Sequence, residues 1–239
     1  MIQSRNEKIW CLVPAAGIGS RMQSDRPKQY LNLMSSTVLD TTLLRLLSSK
    51  KIDNIVVCLK KNDPYWPKSS FSGDDRIQRA EGGEERANSV LNGLKSMKQK
   101  AAQDDWVLVH DAARPCVRHR DIDSLITAAL NRQQGAILAL PIHDTVKKVD
   151  NDLVDGTVDR TSLWRALTPQ IFKFGELEKA LISAEMKGQT ITDEASAIEQ
   201  MGQSVHVVQG HADNIKITSP EDLELARFYL QQQSKEQCA

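Results

Sequence analysis

Residues 9–13 read Ile-Trp-Cys-Leu-Val, and residues 14–28 continue Pro-Ala-Ala-Gly-Ile-Gly-Ser-Arg-Met-Gln-Ser-Asp-Arg-Pro-Lys. A five-residue apolar run followed at once by small residues reads as a buried strand feeding a ligand-facing loop. Small residues let a backbone approach a ligand closely, and glycine also permits left-handed conformations. The N–H groups of such a loop point together at an anion, and Arg21, Arg26 and Lys28 add positive charge where phosphates would sit. The loop only half-matches the dinucleotide fingerprint, because Met22 stands where its third glycine belongs. It is not a Walker A loop either, since Gly-Lys-Ser/Thr is missing.

Working outward, apolar runs alternate with helical patterns. Strands are expected at 55–59, 106–109 and 136–140, with helical apolar spacing over 38–47, 87–97 and 122–130. Uninterrupted apolar strands between helices predict a mainly parallel sheet covered on both faces. Ligands of such sheets sit beyond the strands' C-terminal ends, so Pro14, His110-Asp111 and Pro141 should meet at one crevice. Residues 142–167 break the pattern with polar–apolar alternation around a turn at Asp150-Asn151-Asp152, which reads as a protruding β-hairpin. Its exposed edges need a partner, and a second copy of the chain would supply one. Further helices are expected at 176–187, 194–201 and from 220 to about 232, and strands at 205–208 and 215–217.

Length and composition narrow the function. A chain of 239 residues with zero formal net charge has no bulk attraction for nucleic acid or anionic membranes. Any phosphate binding must come from local charge. Cys11, Cys58, Cys116 and Cys238 are scattered, with no Cys-x-x-Cys pair to suggest zinc or redox chemistry. No membrane-length apolar segment and no signal-like N-terminus is present, so a single cytoplasmic domain spanning 1–239, with the arm at about 142–167, is the expectation.

Two further constellations carry chemistry. The stretch from Glu81 through Gly82, Gly83, Glu84, Glu85 and Arg86 to Ser89 is a glycine turn entering a helix. It reads equally as a simple turn with acids favouring the helix dipole or as a nucleobase pocket lined by backbone and Ser89. The stretch His110-Asp111-Ala112-Ala113-Arg114 places an acid at a strand end. Such an acid could orient a Mg²⁺–triphosphate or a ribose hydroxyl, or merely pair with Arg114. His110 has no second His at a metal-ligand spacing and reads as structural. Arg160, Thr168-Pro169-Gln170, Thr192-Asp193 and Asn214-Ile215-Lys216 each have a bland reading alone; Thr192 or Asp193 would cap the helix that follows.

Taken in order, these segments, with Asp-Thr-Val-Lys at 144–147, Thr-Asp-Glu-Ala-Ser-Ala at 192–197 and Asn-Ile-Lys-Ile-Thr at 214–218, resemble the 2-C-methyl-D-erythritol 4-phosphate cytidylyltransferases. The resemblance covers about residues 9–230. It implies a Rossmann-like nucleotidyltransferase α/β fold with a β-arm, and transfer of a cytidylyl group from CTP to 2-C-methyl-D-erythritol 4-phosphate with loss of pyrophosphate. It also implies a need for Mg²⁺ and a homodimer whose arms reach the partner's site. By position, Arg21 and Lys28 take the role of stabilising charge at the α-phosphate. Arg160 and Lys216 take that of holding the acceptor phosphate, with Thr145 and Thr192 beside it. Ala15, Ala16, Gly17, Gly83, Glu84, Ser89, Asp111 and Ala112 match the cytidine side. Ser20 and Glu84 depart from the Arg and Asp found in some relatives.

The expected chemistry suits these residues. An acceptor phosphate is already anionic, so transfer needs alignment and charge neutralisation rather than a dedicated base or nucleophile. The competing expectations are cytidylyl transfer to ribitol 5-phosphate, and a nucleotide-binding protein without catalysis; a nicotinamide-dependent dehydrogenase fits less well because of Met22.

Overall fold

Five of the expected strands, joined by two that the sequence did not announce, assemble into one seven-stranded sheet with the spatial order β11-β7-β10-β6-β1-β4-β5. Its strands are β1 (Ile9–Pro14), β4 (Asn54–Leu59), β5 (Ile77–Glu81), β6 (Trp106–Val109), β7 (Ala136–Pro141), β10 (Trp164–Lys173) and β11 (His206–Gln209). The short pair β2 (Asn32–Leu33) and β3 (Ser36–Thr37) and the hairpin β8 (Val146–Asp150) and β9 (Leu153–Val158) form two separate ribbons. This computed structural model describes residues 7–17, 22 and 25–238, with side chains as far as Glu236.

The described residues form six α-helices, α1 (Val38–Leu47), α2 (Arg86–Met97), α3 (His119–Arg132), α4 (Phe174–Met186), α5 (Glu194–Gln200) and α6 (Pro220–Cys238). Alternate strand residues separate into two cores, as the two-residue strand period requires. Cys11, Val57 and Leu108 face one way, onto α1 and α3 through Leu39, Leu43, Ile122 and Ile126. Leu12, Val56 and Val107 face the other, onto α2 and α4 through Val90, Leu94, Phe174 and Leu177. A third core joins α6 to the region of β2 through Leu33, Ile217, Ala226 and Leu230.

The sheet is mainly parallel, as expected; β10 alone runs antiparallel to both neighbours, β6 and β7. Strand order reverses at β1. The chain lays β4 and β5 on one side of it, then returns to place β6 on the other. That switch point opens a crevice beyond the C-terminal ends of β1 and β6.

Two expectations are corrected. The stretch 164–167 belongs to the main sheet as the start of β10, so the arm is confined to residues 142–163, closed at its base by Ile142 N–H donating to the Leu163 carbonyl at 3.0 Å. Thr168-Pro169-Gln170 lies inside that same strand. Residues 215–217 are not a strand but a loop. The hairpin turn is where the sequence puts it, with Asn151 and Asp152 at φ 45° and 65°, as a two-residue hairpin turn requires.

Candidate active site

The cleft at the switch point is walled by three segments. The first is the loop after β1. Its backbone is held by Ala15 N–H donating to the Cys58 carbonyl at 2.8 Å. Buried Gln29 donates through Nε2 to the carbonyls of Ala15 at 2.7 Å and Gly17 at 3.1 Å. Lys28 opens a short 3₁₀ turn, Lys28–Tyr30, and its Nζ donates to the Ile217 carbonyl at 2.8 Å. Gly17 does not use a left-handed conformation; a Cβ there would point into open space. Residues 18–21, Arg21 among them, lie outside the described residues.

The second wall is the turn between β5 and α2. A Cβ on Gly82 would sit 2.4 Å from the Ala16 Cβ, and one on Gly83 would sit 2.3 Å from the Asn88 Cβ. Glycine is thus needed at 82 for close approach between the two loops and at 83 for close approach of the turn to the first turn of α2. Buried Ser89 accepts from the Gly83 N–H at 3.0 Å and donates to the Glu85 carbonyl at 3.1 Å. Its hydroxyl therefore shapes the turn. Glu85 and Asn88 complete a capping box for α2.

The floor is Asp111, at the end of β6. Its Oδ1 accepts from Arg86 Nε at 2.8 Å, while its Oδ2 faces Lys216 Nζ at 2.9 Å and Arg114 Nε at 3.4 Å. Burial pushes this carboxyl up, but Arg86, Lys216 and Arg114 together pull it well below the usual carboxylate range. The surface-pair reading of Asp111 and Arg114 is overturned, because Asp111 is buried and shared by three cations. Arg86 in turn makes a bidentate pair with buried Glu194, at 2.7 and 3.0 Å. Arg114 Nη1 donates to the Asn214 carbonyl at 2.7 Å.

His110 supports this floor from behind. Thr168 Oγ1 accepts from the Asp111 N–H at 3.0 Å, so its own hydrogen is available to His110 Nδ1 at 3.1 Å. His110 Nε2 then carries the proton and donates to the Arg114 carbonyl at 3.0 Å. Burial holds its pKa down to about 4, so the ring is neutral and structural, as expected. Cys11, Cys58 and Cys116 are buried, and burial pushes the Cys58 and Cys116 thiols up to about 12. None of the three is a nucleophile at neutral pH.

Ten of the residues singled out from sequence line this one cleft: Ala15, Ala16, Gly17 and Lys28 on the first wall, Gly83, Glu84 and Ser89 on the second, and Asp111, Ala112 and Lys216 at the floor. Three do not. Thr145 is exposed ahead of β8. Arg160 is exposed at the base of the arm, where it donates to the His143 carbonyl. Thr192 is exposed, and its N–H donates to Ser196 Oγ at 3.2 Å. Its neighbour Asp193 is the residue that caps α5. The roles of Gln29 and of the Arg86–Glu194 pair escaped sequence reasoning: Gln29 lies in the Pro-Lys-Gln-Tyr motif at 27–30, but its bonds to the loop carbonyls leave no local pattern, and the pair is 108 residues apart.

A family model described as 2-C-methyl-D-erythritol 4-phosphate cytidylyltransferase matches residues 9–232. The chain belongs to that family. A cytidylyltransferase of the same name from Aliivibrio fischeri strain MJ11 is 52% identical over 229 residues, covering 95% of this chain and 96% of the relative. One from Haemophilus influenzae strain PittGG is 52% identical over 223 residues, covering 93% and 96%. The crystal structure of the Francisella tularensis enzyme of that name superposes with a TM-score of 0.83 at 39% identity, covering 93% of this chain and all of that one. A second crystal structure, of a 4-diphosphocytidyl-2C-methyl-D-erythritol synthase, gives 0.83 at 37% identity, with 95% and 100% coverage. The chain is therefore a nucleotidyltransferase, and its α/β sheet with flanking helices is the architecture of these relatives. Among the described residues no helix is long and apolar enough to cross a membrane.

Proposed function

We propose that the cleft at the β1/β6 switch point binds CTP and transfers its cytidylyl group to 2-C-methyl-D-erythritol 4-phosphate, releasing pyrophosphate. The observation that carries this reading is the convergence of the small-residue loop, the Gly82-Gly83 turn and the Asp111–Lys216 floor on one cleft. The base sits against the Gly83 turn, whose exposed backbone groups read its edge. Lys28 stabilises charge at the α-phosphate, the role that the family resemblance also gives to Arg21. Lys216 draws in the acceptor phosphate, whose anionic oxygen attacks the α-phosphorus in line as pyrophosphate leaves. The chain's contribution is alignment and fixed positive charge.

Mg²⁺ fits this site only as a companion of the nucleotide. Among the described residues no group of three or more His, Cys, Asp or Glu side chains is placed to hold a metal. Both oxygens of Asp111, the carboxylate at the floor, are already faced by cations. A divalent ion would enter on the CTP phosphates as their counter-ion, the usual habit of Mg²⁺ at nucleotide sites.

The reading extends to a homodimer working in the cytoplasm. Val149 and Val154, paired across the arm, are 56% and 63% exposed and Leu153 at the turn is 74% exposed, apolar surface that a second copy would cover. Arg160 at the arm's base would then serve the partner's acceptor site, together with Thr145; Thr192 would lie on the sugar-phosphate side.

Pyrophosphate release from CTP and Mg²⁺, with and without methylerythritol phosphate, tests the proposal. Release that depends on the acceptor is expected. Release with ribitol 5-phosphate in preference, or with no acceptor at all, refutes it.

A further inference from the structure

Arg86 is the first residue of α2. A cation at a helix N-terminus opposes the helix dipole, so the position needs another justification. The geometry supplies it. All three guanidinium nitrogens are used, two on Glu194 at 2.7 and 3.0 Å and the third on Asp111 at 2.8 Å. The Glu194 side chain is 1% exposed and the Asp111 side chain 8%. Glu194 is itself fixed at the start of α5, where the next N–H, that of Ala195, donates to Gln170 Oε1 at 3.0 Å. The anchor therefore reaches back into β10 of the main sheet. On the far side of Asp111, the other carboxylate oxygen holds Lys216 Nζ at 2.9 Å.

Resting on the reading that Lys216 receives the acceptor phosphate, we propose that Arg86 is the positioning residue for Lys216. Anchored by Glu194, it fixes the Asp111 carboxylate, and that carboxylate sets where the Lys216 ammonium stands. Arg86 thereby tunes recognition of the acceptor sugar phosphate. The Gly83 turn, where the functional reading puts the base, is held by Ser89 through bonds that do not involve the Arg86 side chain. Lysine cannot substitute, because a single ammonium cannot span two carboxylates with the planar fork.

The test is a double-mutant cycle between Arg86→Lys and Lys216→Ala, read by steady-state pyrophosphate release against both substrates, with near-ultraviolet circular dichroism to confirm folding. Alone, Arg86→Lys is expected to raise KM for methylerythritol phosphate by about tenfold, the loss of one hydrogen bond between charged groups, while KM for CTP changes by less than about twofold. With Lys216 already alanine, the same substitution should add less than about twofold, because the two act in series. Equal effects in both backgrounds, or a CTP KM that rises with that of the acceptor, would overturn the proposal. Should Arg86→Lys fail to fold, Glu194→Gln, which keeps the shape and removes only the anchoring charge, takes its place in the cycle under the same criteria. Wild-type protein that releases no pyrophosphate with this acceptor overturns both the inference and the functional reading beneath it; additive variants of an active wild type overturn the inference alone.

Discussion

Replacing Asp111 by asparagine keeps the side chain's shape and removes the charge on which the floor of the cleft is organised. Three cations, Arg86, Arg114 and Lys216, face Asp111, and Glu194 is the second carboxylate of the cluster. The group therefore carries a net +1, which the substitution raises to +2. Breaking a buried ion pair by removing one partner costs about 3–5 kcal/mol. The lower end applies here. Lys216 has a 38% exposed side chain, so water screens its share, and Arg86 keeps Glu194. A loss of about 3 kcal/mol in a chain of this length lowers Tm by roughly 6–12 °C. Thermal unfolding followed by circular dichroism at pH 7.5 measures it directly. The carboxyl's folded pKa lies below its unfolded one, so its contribution is fully present above about pH 4 and fades only as pH falls below that. The gap between wild type and Asp111→Asn should therefore be the same at pH 5 as at pH 7.5. A Tm change under about 2 °C, or a gap that closes between pH 7.5 and 5, would refute the view that Asp111 is the charge hub.

Lys28→Ala should lower turnover by about 10²–10³, the typical effect of losing one preorganised charge contact; near-normal pyrophosphate release would remove Lys28 from the assigned role. Ser89→Ala leaves the Gly83 N–H without its acceptor and should raise KM for CTP about tenfold, with an unchanged CTP titration as the contrary result. His110 is neutral when folded, with burial holding its pKa down to about 4, so the unfolded chain binds the extra proton between about pH 6.5 and 4. Wild-type stability should fall by up to roughly 3 kcal/mol across that window, a slope that urea unfolding should find missing in His110→Asn. Leu153→Asp on the arm should convert a dimer to a monomer in sedimentation experiments; a wild type that sediments as a monomer contradicts the proposed assembly.

Most of the sheet could be read because its strands are buried on both faces. Residues 9–13, 55–59, 106–109 and 136–140 are apolar throughout and leave no ambiguity between strand faces. Where burial is one-sided or interrupted, the signal fades. β5, Ile77–Glu81, is an edge strand whose Arg79 and Glu81 suit an exposed edge, and nothing in its composition announces a strand. β10 hides because Pro169 interrupts it where its register against β7 shifts between Ala166 and Gln170. The stretch 215–217 has strand-like residues, yet its backbone is spent on other tasks. The Ile217 carbonyl accepts from Lys28, its N–H donates to the Ala113 carbonyl, and the Asn214 carbonyl accepts from Arg114. Of the two properties glycine offers a loop, close approach is the one used: Gly82 and Gly83 leave space that a Cβ would fill, and neither they nor Gly17 has a left-handed backbone.

The pairings that organise the floor of the cleft could not be read at all, since charge pairing across 108 residues has no local period. Their pattern nevertheless explains how a chain of zero formal net charge can gather two polyanions. A general field would not do it; three cations lining one cleft, Lys28, Arg86 and Lys216, with Arg114 behind Asp111, would. Each of Lys28, Arg86, Arg114 and Lys216 is already bonded or paired, to the Ile217 carbonyl, Glu194, the Asn214 carbonyl and Asp111 respectively. Long side chains fixed in this way have surrendered their rotamer freedom before any ligand arrives. The entropy of ordering them is charged to folding, and the charge that meets the transition state needs little reorganisation. Removing an anchoring acceptor should therefore weaken transfer even when the cation itself remains, because a mobile lysine at the same place has to be ordered again in every turnover.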